Sequence, residues 1–160
     1  MIEIRDVSKW YGDKIVVDKI SLNIQKGRIT SLIGANGAGK STLLSMVSRL
    51  IDKNEGEILI EGKKLEEYKS NDLAKKISIL KQTYQLQIRL SIKDLVAFGR
   101  FPHSQGRLTK EDQRYINEAI RYMELSDIQD KYLDQLSGGQ RQRAFIAMVL
   151  AQDTDYILLD

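Results

Sequence analysis

The chain's 160 residues, 42% hydrophobic and 29% charged, suffice for one globular domain with a core of its own. The absence of cysteine excludes a disulfide framework and a thiolate metal site, and an evenly spread net charge of +3 is too small to argue for nucleic acid. No apolar run approaches the roughly 20 residues that a membrane-crossing helix needs, so any link to a membrane is expected to run through a partner.

The opening residues Met1 to Asp6 alternate like a strand and lack a signal peptide's basic-then-apolar profile. Ile2 and Ile4, then Ile15 to Val17, then Ile20, Leu22 and Ile24, predict half-buried antiparallel strands. Next comes a different pattern. Ile29 to Ile33 predicts a buried strand, Gly34 to Gly39 a loop, and Lys40 to Leu50 a helix with Leu43, Leu44 and Val47 on one face. Residues 56–62, bracketed by Gly56 and Gly62, read as a short strand that belongs with the first set. Ile77 to Leu80 predicts a parallel strand. From about Ser91 to Asp134 the chain reads as helical, because Ser91 with Asp94 and Thr109 with Asp112 have capping-box spacing. Ile116, Ala119, Ile120 and Met123 recur as one packed face, and Pro102, the single proline, is expected in a loop between helices. A helix through Ala144, Ala147, Met148 and Ala151 follows, and Tyr156 to Leu159 predicts a strand that ends on a carboxylate, Asp160.

Two glycine-rich segments carry the chemistry. Gly34-Ala35-Asn36-Gly37-Ala38-Gly39-Lys40-Ser41 has the full spacing of a phosphate-binding P-loop. Its glycines let the backbone wrap an anion, and its amides and the helix N-terminus point at the phosphates. Lys40 supplies a point charge to the β- and γ-phosphates, the Ser41 hydroxyl can ligate Mg²⁺, and Thr42 sits at the α-phosphate end. The second segment, Leu136-Ser137-Gly138-Gly139-Gln140, opens a helix with a capping box between Ser137 and Gln140 and two bare glycine amides. No lysine equivalent to Lys40 accompanies it. It therefore reads as a lid for a γ-phosphate held elsewhere, against the plainer alternative of an ordinary N-cap.

Leu136 to Gln140, followed by Arg141-Gln142-Arg143 and preceded by the P-loop, resembles the signature of ATP-binding-cassette (ABC) ATPases. The resemblance implies an α/β fold: a P-loop NTPase core with an antiparallel β subdomain and a helical subdomain, the C-terminal part of the family domain missing. Residues 1–82 and 151–160 would form the core with its β subdomain, and about 83–150 the helical part. Tyr11, in Trp10-Tyr11-Gly12, falls where the family stacks an aromatic on adenine, although a lone tyrosine is more often a surface or core residue. Gln82 matches the Q-loop glutamine that contacts Mg²⁺ and the attacking water, and Asp160 the aspartate that holds Mg²⁺. ATP and Mg²⁺ are the implied cofactors, with Lys40, Gln82 and Asp160 catalytic, and Ser41, Gln82 and Asp160 on the metal.

The family pairs two subunits head to tail, so that Ser137, Gly138, Gly139 and Gln140 of one face the P-loop of the other. ATP closes the pair, hydrolysis opens it, and transmembrane permease subunits are driven from the cytoplasmic face of the membrane. Residues 96–103, Val-Ala-Phe-Gly-Arg-Phe-Pro-His, resemble the branch that imports iron–siderophore complexes, with vitamin B12 importers as near relatives. A siderophore-binding protein is then an indirect partner, and nucleic acid none. His103, the single histidine, has no metal-ligand company and is expected in a loop near the permease.

The family's glutamate after the Mg²⁺ aspartate, its D-loop and its switch histidine have no counterpart here, and His103 precedes the signature. The chain alone is thus expected to bind ATP without efficient hydrolysis, and to be marginally stable with an exposed apolar sheet edge. Two alternatives stay open: an ABC protein acting on DNA or ribosomes, and an ATP-binding, non-hydrolysing fragment or regulator.

Overall fold

The computed structural model describes residues 1–81 and 89–160. They form two compact units: Met1–Ser70 together with Asp160, and Asn71–Leu159.

The first unit is built on a four-stranded antiparallel sheet. Its strands are β1 (Ile2–Tyr11), β2 (Lys14–Ile24), β3 (Glu55–Ile60) and β4 (Lys63–Lys64), in the order β2-β1-β3-β4. The sheet buries Ile2, Ile4, Val17, Ile58 and Ile60, as its predicted strands imply, and also Val7, which lies beyond a change of register. The β1–β2 register shifts between Ile4 and Val7 and again beyond it. There Asp6 and Lys19 take left-handed backbone conformations, and hydroxyls replace ladder partners: the Asp6 N–H donates to Ser21 Oγ at 2.8 Å, and the Lys19 N–H to Ser8 Oγ at 3.0 Å. Next to that irregularity Ile20 is exposed, where strict alternation from Ile24 would have it half-buried.

Helix α1 (Lys40–Val47) contributes buried Leu43, Met46 and Val47 to this unit. It stops three residues short of the predicted end because Arg49 is left-handed, with a φ of 56°. The Arg49 guanidinium then binds the Leu65 and Tyr68 carbonyls at 3.1 and 2.6 Å.

The strand expected after β2 is absent. Residues 29–33 form no strand, and Ile29 and Ile33 are 99% and 95% exposed. A strand is defined by its neighbours, and neither sheet takes this segment into its order, so its amides and carbonyls have no ladder to join.

The second unit begins within α2 (Ser70–Ala74). Strands β5 (Ile77–Leu80) and β6 (Tyr156–Leu159) pair in parallel, as their short apolar runs predict. Helices α3 (Ile92–Phe98), α5 (Lys110–Tyr122) and α6 (Gly138–Ala151) enclose a core that includes Ile92, Val96, Ile116, Ile120, Leu125 and Ala147. All three predicted capping boxes are present, at Ser91 with Asp94, Thr109 with Asp112, and Ser137 with Gln140. Pro102 is not in a loop. It lies in the first turn of a short helix, α4 (Phe101–Ser104), where a missing N–H leaves no helical bond unmade.

Candidate phosphate site

The P-loop sits at the entrance to α1. Ala38 N–H closes a turn onto the Ala35 carbonyl at 3.2 Å, and Leu43 N–H makes the first helical bond, to Gly39 O at 2.8 Å. Gly37 and Gly39 have φ of 82° and 87°, which only glycine adopts freely. Gly39 is constrained a second time. A Cβ there would lie 2.5 Å from the Val16 carbonyl and 3.0 Å from Val17 Cγ2, because β2 runs directly against the loop.

Lys40 folds back over the loop, its Nζ donating to the Gly34 and Ala35 carbonyls at 2.8 Å each. An ammonium has three donors, so one remains for an incoming anion. Ser41 Oγ donates to Asp160 Oδ1 at 2.6 Å, which joins residues 119 apart in sequence. A hydroxyl and a carboxylate in contact are hard oxygen donors that suit Mg²⁺, and Asp160 and Ser41 would hold it beside a phosphate. Asn36 and Ala38 stand in the exposed loop, and Thr42 is half-buried as the third residue of α1.

Tyr11 ends β1, with about half of its surface exposed and the Lys9 ammonium 5.0 Å from its ring centroid. Gln82 lies outside the described residues.

The second glycine segment lies in the other unit. Ser137 Oγ accepts the Gln140 N–H at 3.3 Å, and Gln140 Oε1 accepts the Ser137 N–H at 3.0 Å. Gly138 and Gly139 occupy the first helical positions without positive φ, and a Cβ on either would meet nothing within 4 Å. Glycine weakens a helix relative to alanine by up to about 1 kcal/mol, yet nothing within this unit requires it at these two positions. The Gly138 and Gly139 amides belong to the first turn, which has no intrahelical acceptor for them.

His103 belongs to α4, and its Nε2 meets the Gln152 carbonyl at 2.9 Å. A carbonyl only accepts, so Nε2 carries the hydrogen. Sequence reasoning missed three residues of this neighbourhood. Arg100 is buried, with Nε on Asp112 Oδ1 and Nη1 on the Ala151 carbonyl, both at 2.9 Å. Gln152 Nε2 reaches the Ala74 carbonyl at 2.6 Å. Asp112 looked like a cap and no more, but it also receives Arg100. The Thr109 backbone N–H, the Thr109 hydroxyl and the Arg100 guanidinium, acting against burial, hold its carboxyl at about 2. No local sequence pattern announces a pairing between α5 and the residue that precedes α4.

A glycine loop at a helix N-terminus, with a lysine across its mouth and a hydroxyl–carboxylate pair beside it, defines a P-loop NTPase domain. Residues 17–160 match the ABC transporter family, and the chain belongs to it. It is 68% identical over its whole length to the petrobactin import ATP-binding protein YclP of Bacillus subtilis (strain 168), and covers 64% of that protein. It is 43% identical over 152 residues to the iron(3+)-hydroxamate import ATP-binding protein FhuC of the same organism, an alignment covering 94% of this chain and 56% of the relative. Among solved structures, the dimeric MJ0796, a bacterial ABC transporter cassette, matches with a TM-score of 0.86 and 31% identity, over all of this chain and 73% of the other. The cbiO1 protein of Clostridium perfringens, part of the ABC transporter complex cbiONQ, matches with a TM-score of 0.83 and 27% identity, over 99% of this chain and 64% of the other. The chain thus spans less than two-thirds of the length of YclP and little more than half that of FhuC. No helix among the described residues is long and apolar enough to cross a membrane.

Proposed function

We propose that this chain is the ATP-binding, energy-coupling part of an importer of iron–siderophore complexes. The observation that carries the nucleotide reading is the meeting of Ser41 with Asp160 beside Lys40 and the loop glycines. ATP is held by the amides of residues 34–42, its adenine on Tyr11 and its β- and γ-phosphates on Lys40. Ser41 and Asp160, with Gln82, would hold Mg²⁺, which would supply charge neutralisation to the phosphates. In the full-length protein Gln82 also faces the attacking water. Ser137 to Gln140 serve the nucleotide of a second copy, and glycines that no contact within their unit requires fit such a lid.

Petrobactin import by YclP and iron(3+)-hydroxamate import by FhuC support the cargo class. Ferric petrobactin is the first cargo to try. The protein works at the cytoplasmic face of the membrane through permease subunits and touches no cargo itself.

Titration of the full-length protein with ATP, with and without Mg²⁺, tests the site. Lys40→Ala is expected to weaken MgATP at least tenfold, since a charge-assisted phosphate contact is worth about 1.5–3 kcal/mol. Asp160→Asn is expected to abolish the gain in affinity that Mg²⁺ confers. Unchanged binding in both variants would remove the nucleotide reading. Uptake of iron-loaded petrobactin by cells lacking the gene, restored by wild type and not by Lys40→Ala, tests the cargo.

A further inference from the structure

We propose that Lys9 is a base-positioning residue. Its ammonium seats one face of the Tyr11 ring, so that the other face is presented to the nucleotide base. The proposal rests on the reading of Tyr11 as the adenine platform and adds a second residue to it.

Three observations on β1 and β2 carry it. First, Lys9 Nζ stands 5.0 Å from the Tyr11 centroid, within cation–π range, and among the described residues no carboxylate pairs with Lys9. Its charge is committed to the ring. Second, the pairing of β1 with β2 fixes which side of the sheet Lys9 occupies. Lys9 is directly opposite Val17, and directly opposed residues share a face. Val17 is the residue whose Cγ2 would lie 3.0 Å from a Cβ on Gly39, so this is the face that meets the P-loop. The ladder shifts register between Lys9 and Trp10, and it is the 5.0 Å contact between the Lys9 ammonium and the ring that sets Tyr11 beside Lys9 on this face. Third, Tyr11 is half-exposed at the end of the strand, opposite Lys14 in the hairpin. A cation over one face of an exposed ring leaves the opposite face for stacking. Holding the ring in that pose removes ordering that binding would otherwise impose.

The test compares MgATP with inorganic triphosphate, which lacks the base, by calorimetric titration of the full-length protein. Lys9→Met keeps the aliphatic stem and loses the charge. It is expected to weaken MgATP about three- to fivefold while leaving triphosphate unchanged, and Lys9→Arg, which keeps a cation, is expected to bind like wild type. Tyr11→Ala is expected to weaken MgATP about tenfold or more, and adding Lys9→Met to it should cost nothing further. If Lys9→Met weakens triphosphate as much as MgATP, Lys9 is a phosphate contact and the proposal fails. It also fails if Lys9→Met is neutral, or additive with Tyr11→Ala, and the adenine reading of Tyr11 then survives. MgATP binding unaffected by Tyr11→Ala would overturn that reading together with the proposal.

Discussion

Glycine does two different jobs here, and the difference shows in what a methyl group would strike. At Gly39 the backbone is left-handed and the Val16 carbonyl is already in the way, so the residue is demanded by its own fold. At Gly37 only the backbone conformation demands it, since a Cβ there meets nothing within 4 Å. The two sites therefore separate strain from collision. Gly37→Ala is expected to cost about 1–2 kcal/mol of stability, the penalty for a side chain in the left-handed region. Gly39→Ala adds an overpacking cost of roughly 1–3 kcal/mol and pushes the loop off β2, with at least a tenfold loss of MgATP affinity. Thermal unfolding and nucleotide titration of both variants check this, and equal losses at the two positions would show that β2 does not brace the loop. The spacing of the glycines was legible in the sequence. The approach of β2 was not, because nothing in Val16 or Val17 marks a contact more than twenty residues ahead.

At the scale of elements, α6 is held at its C-terminal end by residues from the α3–α4 joint. Arg100 binds the Ala151 carbonyl, His103 the Gln152 carbonyl, and Gly99 sits so close that a Cβ would come within 2.1 Å of Met148 O. Asp112 completes the joint by pairing with Arg100 while capping its own helix. Removing one partner of a buried pair strands the other, so Asp112→Ala is expected to lose about 3 kcal/mol in urea unfolding. The pH dependence has a definite sign. The folded pKa of Asp112, about 2, lies below its ordinary value of 3.8, so the stabilisation is full above pH ~4 and fades as pH falls toward 2. Asp112→Ala should flatten the stability profile in that window, and an unchanged acid slope would dismiss the pairing. Helix starts were legible because a capping box is a local, three-residue device, as Ser91, Thr109 and Ser137 show. Residues 29–33 were misjudged because burial and pairing depend on neighbours that no local pattern supplies. Pro102 was misjudged because its ring suits the first turn of a helix as well as a loop.

At the scale of the whole molecule, the two glycine segments lie in separate compact units, and the glycines of the second, unlike its Ser137–Gln140 cap, are not required by the unit that carries them. If Ser137 to Gln140 close over ATP on another copy, the consequence of crowding them is unusual. Gly138→Ala adds a methyl group into open space at a helix start, where alanine is the better helix former. The variant should fold with stability equal to wild type or up to about 1 kcal/mol higher, and should bind MgATP at the P-loop with unchanged affinity. Association should respond differently, because the methyl group projects where a phosphate must approach the backbone amides. Sedimentation of the full-length protein with a slowly hydrolysed ATP analogue is the measurement, and MJ0796, solved as a dimer, shows that a cassette of this fold can pair. Wild type should dimerise only with nucleotide, and Gly138→Ala should raise the dimer dissociation constant at least tenfold. Undiminished dimerisation would mean that the signature glycines answer to something other than a shared nucleotide. Lost stability would mean that the demand for glycine arises within the chain after all.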